Sequence, residues 1–490
     1  MAVDAERDVL DTGRAGGIAI RGGALRTGGY VVAMLLSLAS VPFMTRHLGP
    51  VDYGYYATVS SILFIITGVT EAGLTNLGTR EYVVLRGADR DHFLRNLVGL
   101  RLALTAGGVL GAVLFTAVTG AHKSVVQGTL IMGVGSLLTF TQATYAVPLS
   151  AQLRLGWVAG LELLKQATIS ITIVVLVIVG ASLLPFFFAS VVAGVVMLGC
   201  TLVLLHGEAS LVPSFDLARW RRVLADVLPY ALAAAVGLFY FRLALILMSY
   251  IASGRETGIY GAAFRIVETI AVVPWLVVSS GFPILARAAR DDADRLRYAL
   301  GRLFDVSLLI GVWISLSLAI GAYVAVEIVA GSSFGGATEV LRIQALSLIT
   351  AFLVATWSFA LLSLKRFREL LIANAVAAIV AAALTVALVP SLGAKGAAVA
   401  TLAAEAVLAA GYLVALARRD RHLLPSPGQV PRLIPGTAAM VGIGVALPSH
   451  PVVAVILAGI AYWALAFLLR AVPPELINAV RRRDPPSADG

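Results

Sequence analysis

The stretch 236–250, VGLFYFRLALILMSY, decides the fold. Fourteen of its fifteen residues can lie in hydrocarbon, and the other, Arg242, is a permanent cation near the middle. An arginine at a bilayer centre costs at least ~2.5 kcal/mol on the most lenient scale. The rest of the chain says which solvent surrounds it. Of 490 residues, 59% are hydrophobic and only 13% are charged. Soluble domains carry about 25% charged residues, so the composition is that of a membrane protein.

A membrane-spanning helix needs roughly 20 apolar residues. Fourteen runs qualify: 27–46, 54–76, 98–119, 125–148, 157–180, 182–205, 228–251, 258–284, 303–329, 338–362, 370–390, 394–417, 432–448 and 451–470. They are too long for barrel strands, and backbone in hydrocarbon must bond to itself, so they are helices. The net charge of +10 suggests a polyanionic partner such as nucleic acid until the charges are located. With the N-terminus inside, 28 of the 37 lysines and arginines fall on cytoplasmic segments, 4 on outer segments and 5 within spans. That bias orients the chain with both termini cytoplasmic, and no nucleic-acid partner is needed to explain it.

A repeat lies across the chain. MTRHLGPVDYGYYA (44–57) aligns with MSYIASGRETGIYG (248–261) at a constant offset of 204, pairing Met44 with Met248, Asp52 with Glu256, Gly54 with Gly258 and Tyr56 with Tyr260. Each copy joins the first and second span of a six-span block. The expected fold is therefore an all-α polytopic membrane protein with 14 transmembrane helices: two six-helix bundles related by pseudo-twofold symmetry, plus two C-terminal helices. Such halves bind at their interface and alternate access by rocking. The expected organisation is a cytoplasmic N-terminal segment (1–26), the first bundle (27–205), a cytoplasmic linker (206–227), the second bundle (228–417), a cytoplasmic loop (418–431), the final helix pair (432–470) and a cytoplasmic tail (471–490).

SVPFMTRHLGPVDYGYYATVSS, GIYGAAFRIVETIAVVPWLVVSSGFPILARAAR and ALVPSLGAKGAAVATLAAEAVLAAGYL together resemble the bacterial polysaccharide flippases. These share an exporter superfamily with the lipid II flippases and the multidrug extruders. The resemblance implies a transporter of the bacterial plasma membrane, not an enzyme. It would carry an oligosaccharide on a polyprenyl (pyro)phosphate from the inner to the outer leaflet. Its partners would be membrane lipid and a polysaccharide polymerase or glycosyltransferases, and its driving force a proton, sodium or the membrane potential. RIVE places Arg265 and Glu268 where lipid II flippases carry a similar Arg-x-x-Glu. Many relatives have an acidic residue two positions after an arginine like Arg242; here that position is Ala244, so no cation site is carried over to it.

Depth follows from a rise of 1.5 Å per residue: Arg242 lies roughly 14 Å, Arg265 roughly 10 Å, Glu268 roughly 15 Å and Glu405 roughly 16 Å below the outer ends of their spans. Two readings stand for this layer. In one, Arg242 and Arg265 bind the headgroup phosphate, where the guanidinium fork suits phosphate oxygens, while Glu268 and Glu405 hold them or take up the coupling ion. In the other, the four form a closed ion-pair network that fixes the seventh, eighth and twelfth spans. Glu71 is a further coupling or ion-pair candidate, with Arg80 or Arg101 as its partner. Arg46 and Asp52 flank the first outer turn as exit-rim contacts. Arg101, Lys165 and Arg342, near span ends, are expected to snorkel. Tyr53, Tyr55, Tyr56, Tyr250 and Tyr260 are expected as interfacial anchors.

The single cysteine, Cys200, excludes an internal disulfide, no metal-ligand spacing occurs among the histidines, and no phosphate-binding GxxxxGK[ST] loop is present. Neither a metal nor a cofactor is expected. The outer loops leave no room for the catalytic domain of a polyprenol-using enzyme. A lipid II flippase and a cation-coupled multidrug antiporter remain as alternatives.

Overall fold

The computed structural model describes residues 15–71, 73–206, 212–291, 293–424 and 428–473. The expected terminal segments in their 1–14 and 474–490 portions, and 207–211 of the expected linker, lie outside the described residues. Among those described there is no strand, and eleven helices are long and apolar enough to cross a membrane. Two compact units are present, Met1–Gly258 and Ile259–Gly490.

The first unit contains α1 (Ala15–Glu71), α2 (Leu74–Val84), α3 (Gly87–Val118), α4 (Lys123–Tyr145), α5 (Val147–Ala151), α6 (Leu155–Ile178), α7 (Leu183–Leu204) and α8 (Leu217–Ile251). α1 is broken at Gly49, whose φ of 69° belongs to glycine and is followed by Pro50, which has no N–H to continue the ladder. The break falls between the first two expected spans. α3 is continuous from Gly87, eleven residues before the expected third span at 98.

α8 starts at Leu217, well before the expected span at 228. Asp216 caps it, accepting from the N–H groups of Ala218 (3.0 Å) and Arg219 (3.2 Å). The chain leading into α8 is docked on α3: Asn96 Oδ1 accepts from Asp216 N–H (3.1 Å) and Trp220 Nε1–H (2.8 Å). Arg95 Nε donates to the Val212 carbonyl at 2.7 Å. An apolar cluster joins Val59, Ile62 and Leu63 of α1 to Val109 of α3, Phe187 of α7 and Ile246 of α8.

The second unit takes up α9 (Gly254–Ile270), whose first turn belongs to the first unit, then α10 (Val272–Asp291), α11 (Ala293–Ile320), α12 (Ala322–Val329), α13 (Ala337–Ser363), α14 (Phe367–Leu392), α15 (Ala394–Arg419), α16 (Gln429–Ala446) and α17 (Pro451–Leu468). The α13–α14 turn is tied to the end of α15 by Arg366, which pairs with Asp420 and donates to the Ala415 carbonyl at 3.2 Å. Burial pulls the Arg366 pKa below its ordinary value, yet an arginine remains cationic there.

α16 and α17 pack on α11 through Leu309, Val312, Leu433, Met440, Ala458 and Tyr462. Tyr462 is fully buried, and its hydroxyl donates to the Leu309 carbonyl at 2.8 Å. Polar bonds between membrane helices contribute on average about 0.6 kcal/mol. Tyr462→Phe should therefore lower unfolding stability in detergent by about 0.5–1.5 kcal/mol, read as a fall in the melting temperature with the helical signal unchanged.

Candidate functional site

Arg101 is fully enclosed, with 1% of its side chain exposed. Snorkelling is thus the wrong description of it: nearness to a helix end says nothing about which way a side chain faces. Its guanidinium pairs with Glu71 at the end of α1, donates to Thr75 Oγ1 (2.9 Å) in the first turn of α2, and lies 4.9 Å from the centre of the Phe140 ring. One cation thereby spans the break between α1 and α2, where Gly73 has φ 86°. Glu71 is 37% exposed, so the pair has one sealed and one accessible member. Lys165 and Glu162 pair locally at 2.6 Å.

Arg242 lies in the first unit and is 8% exposed. Its guanidinium carbon is 4.2 Å from the centre of the Phe64 ring and 5.5 Å from that of Phe241. A ring face attracts a cation more strongly as water leaves. These rings thus supply part of what the apolar run denies, a role for Phe64 that its sequence position does not signal.

Arg265 and Glu268 are brought together on α9, Nη1 to Oε2 at 3.1 Å, with 34% and 17% of their side chains exposed. One turn before them, buried Tyr260 meets Thr401 of α15 at 2.9 Å. Thr401 gives its own proton to the Ala397 carbonyl, so Tyr260 is the donor. Glu405 is half-buried one turn beyond Thr401. Further along α15, the Tyr412 hydroxyl accepts from Asn374 Nδ2 of α14 at 2.7 Å. A polar line thus runs down the side of α15 in the second unit.

Around the break at Gly49, Arg46 is exposed and Asp52 half-buried. The expected tyrosine belt is only partly a belt. Tyr53 and Tyr260 are buried, Tyr55 stacks on His122 with ring centres 4.4 Å apart, and Tyr56 stacks on Phe187 at 5.7 Å. Tyr250 accepts a hydrogen bond from Thr119 at 2.9 Å. Among the described residues no group of three or more His, Cys, Asp or Glu side chains is placed to hold a metal ion.

A family model described as polysaccharide biosynthesis protein matches residues 19–289, more than half of the chain. The chain belongs to the polysaccharide biosynthesis protein family. Among solved structures, the lipid II flippase MurJ in an inward closed conformation matches with a TM-score of 0.76 at 14% identity, covering 93% of this chain and 100% of MurJ. A multidrug resistance MATE family transporter of the MOP superfamily, in an inward-facing conformation, matches with a TM-score of 0.64 at 15% identity, covering 80% of this chain and 95% of that one. Its outward-facing counterpart matches at 0.56. No curated protein matches the chain. At these identities the structural likeness establishes the fold: this member of the family is a multi-pass membrane protein built like the MurJ and MATE transporters.

The Arg101 cluster generates a test. Glu71→Ala strands a sealed cation and should cost about 3 kcal/mol or more, seen as lost monodisperse protein or a lowered melting temperature in detergent. Glu71→Gln combined with Arg101→Met removes both charges and should recover most of that loss.

Proposed function

We propose that this protein is a flippase that moves an oligosaccharide linked to a polyprenyl (pyro)phosphate from the inner to the outer leaflet of a bacterial plasma membrane. The observation that carries this reading is the Arg265–Glu268 pair: a cation within an apolar helix, bonded yet one-third open. Charges within spans normally face a bundle interior or a wet cavity. The planar guanidinium fork suits phosphate oxygens. The family supplies the context of polysaccharide synthesis.

The topology proposed is fourteen crossings in two six-helix halves plus a C-terminal pair, with both termini cytoplasmic. Its support lies in the break at Gly49 within the longest apolar helix, the shorter apolar helix Ala235–Ile251 and the packed pair α16–α17. In that topology α9 and α15 run in the same direction. The Tyr260–Thr401 bond then sets their register and brings Glu405 level with Arg265, one turn further into the membrane. Glu268 and Glu405 are the proposed holders of Arg265, with Glu405 and Glu71 as candidates for the coupling proton or sodium. Arg242 is the proposed second phosphate contact; binding there requires it to leave the face of Phe64. Arg46 and Asp52 are proposed exit-rim contacts. The lipid-linked cargo is favoured over a small drug because the match to the flippase takes in 93% of the chain against 80% for the drug exporter.

Purified protein in liposomes should move a polyprenyl-pyrophosphate-linked oligosaccharide and show no drug efflux. Arg265→Ala should reduce translocation about tenfold to a hundredfold, the range expected for a lost charged hydrogen bond, with normal membrane insertion. Arg265→Lys should restore part of it, keeping the charge without the fork. Full translocation by Arg265→Ala and Arg242→Ala together contradicts the assignment, and drug efflux without lipid movement selects the antiporter.

A further inference from the structure

The chain entering α8 is built the wrong way round for a loop in water. Residues 212–216 are not helical, yet α3 takes up their backbone polar groups. The Val212 carbonyl accepts from Arg95 Nε at 2.7 Å, Ser214 N–H donates to the Arg95 carbonyl at 3.0 Å, and Asp216 N–H donates to Asn96 Oδ1 at 3.1 Å. Pro213 has no N–H to satisfy. The Ser214 carbonyl lies so close to Gly99 that a methyl carbon there would overlap it. The side chains do the opposite: Val212, Phe215 and Leu217 are 61%, 62% and 76% exposed. Irregular backbone is tolerated at membrane depth only where protein satisfies it. A loop in water has no such need, because solvent supplies the partners.

Cations border these apolar side chains. Trp220, Val223 and Leu224 pack onto Leu74, Leu97 and Leu100, and the Trp220 ring meets that of Phe215 edge-on at 5.9 Å. Arg219, Arg221 and Arg222 are exposed. The only acid in 212–224 is Asp216, whose carboxylate already caps α8 and lies 3.5 Å from Arg219 Nε. Exposed apolar side chains beside outward arginines are the pattern of a segment lying in a membrane interface. We propose that residues 212–222 are a docking site for anionic phospholipid. Val212, Phe215 and Leu217 sit at the acyl boundary, while Arg219, Arg221 and Arg222 hold the headgroup phosphates, which the guanidinium fork suits. Assigning the site to the cytoplasmic leaflet rests on the topology proposed above; the lipid site itself does not.

The test uses the full chain in phosphatidylglycerol vesicles, with Cys200→Ser and a nitroxide on Phe215→Cys. Oxygen, which concentrates in lipid, should relax the nitroxide more than a water-soluble nickel chelate does. The reverse order overturns the proposal. In detergent, the unsubstituted protein should retain phosphatidylglycerol in preference to phosphatidylcholine, read by native mass spectrometry. Arg221→Gln with Arg222→Gln should cut phosphatidylglycerol affinity about fivefold for each arginine removed, the effect of one basic residue near an anionic surface. Phosphatidylcholine binding should not change. Arg221→Lys with Arg222→Lys should keep most of the preference, because the charge remains. Undiminished phosphatidylglycerol retention by the glutamine variant overturns the site. Displacement by inorganic phosphate removes the apolar contacts from the recognition, and displacement by an equal concentration of polyprenyl pyrophosphate makes this a cargo site; either result overturns the phospholipid assignment. Neither measurement reads transport, so a failed translocation assay refutes the flippase reading and leaves the lipid site standing.

Discussion

Hydrocarbon offers no hydrogen-bond partner, and that single deficit organises the molecule. It forces the backbone to close on itself as helix, and it forces each charge left inside to be satisfied by protein. Three arginines are handled in three ways. Arg101 is clasped by Glu71, Thr75 and the Phe140 ring. Arg242 is laid against Phe64 and Phe241. Arg265 bonds to Glu268 and keeps a third of its side chain accessible. Under the proposed reading their accessibility ranks them, because a ligand can exchange only with a partner it can reach.

Much of this architecture was legible from apolar run length. The expected spans 338–362, 370–390, 394–417 and 451–470 correspond to α13, α14, α15 and α17 within a few residues. Those runs are bounded by charges or by glycine and proline, and length in hydrocarbon is a strong constraint. Partners were harder to read than positions. Arg101 lies near a helix end and so reads as a snorkelling residue, yet its helix face turns it inward. Glu71 was recognised as an ion-pair candidate, but only the fold chooses Arg101 over Arg80. The docking of residues 212–220 on Arg95 and Asn96 left no periodic signal, because it uses one side-chain amide, one guanidinium and a backbone carbonyl. The ring partners of Arg242 were invisible for a related reason: Phe64 is one apolar residue among many until it is placed beside a cation.

Glycine shows the same limit from the other side. At Gly49 the following proline signals a turn within the sequence itself. At Gly54 and Gly258 nothing local demands glycine, since both are helical; the demand comes from a backbone far away in the chain. The repeat offset was the one trace of that demand, because equivalent turns that touch must be equally bare.

The difference between a structural and an exchangeable ion pair also follows from geometry. Arg101 reaches from α3 to both sides of the α1–α2 break, so parting it from Glu71 would release two helix ends at once. The Arg265–Glu268 bond is contained within α9, three residues apart, and joins no helix to another. The register of α9 against α15 is kept by Tyr260 and Thr401. A transporter needs a cation that can change partners many times without the bundle loosening. In the proposed reading that cation is Arg265, paired within one helix to Glu268 while a separate neutral hydrogen bond between Tyr260 and Thr401 holds α9 against α15.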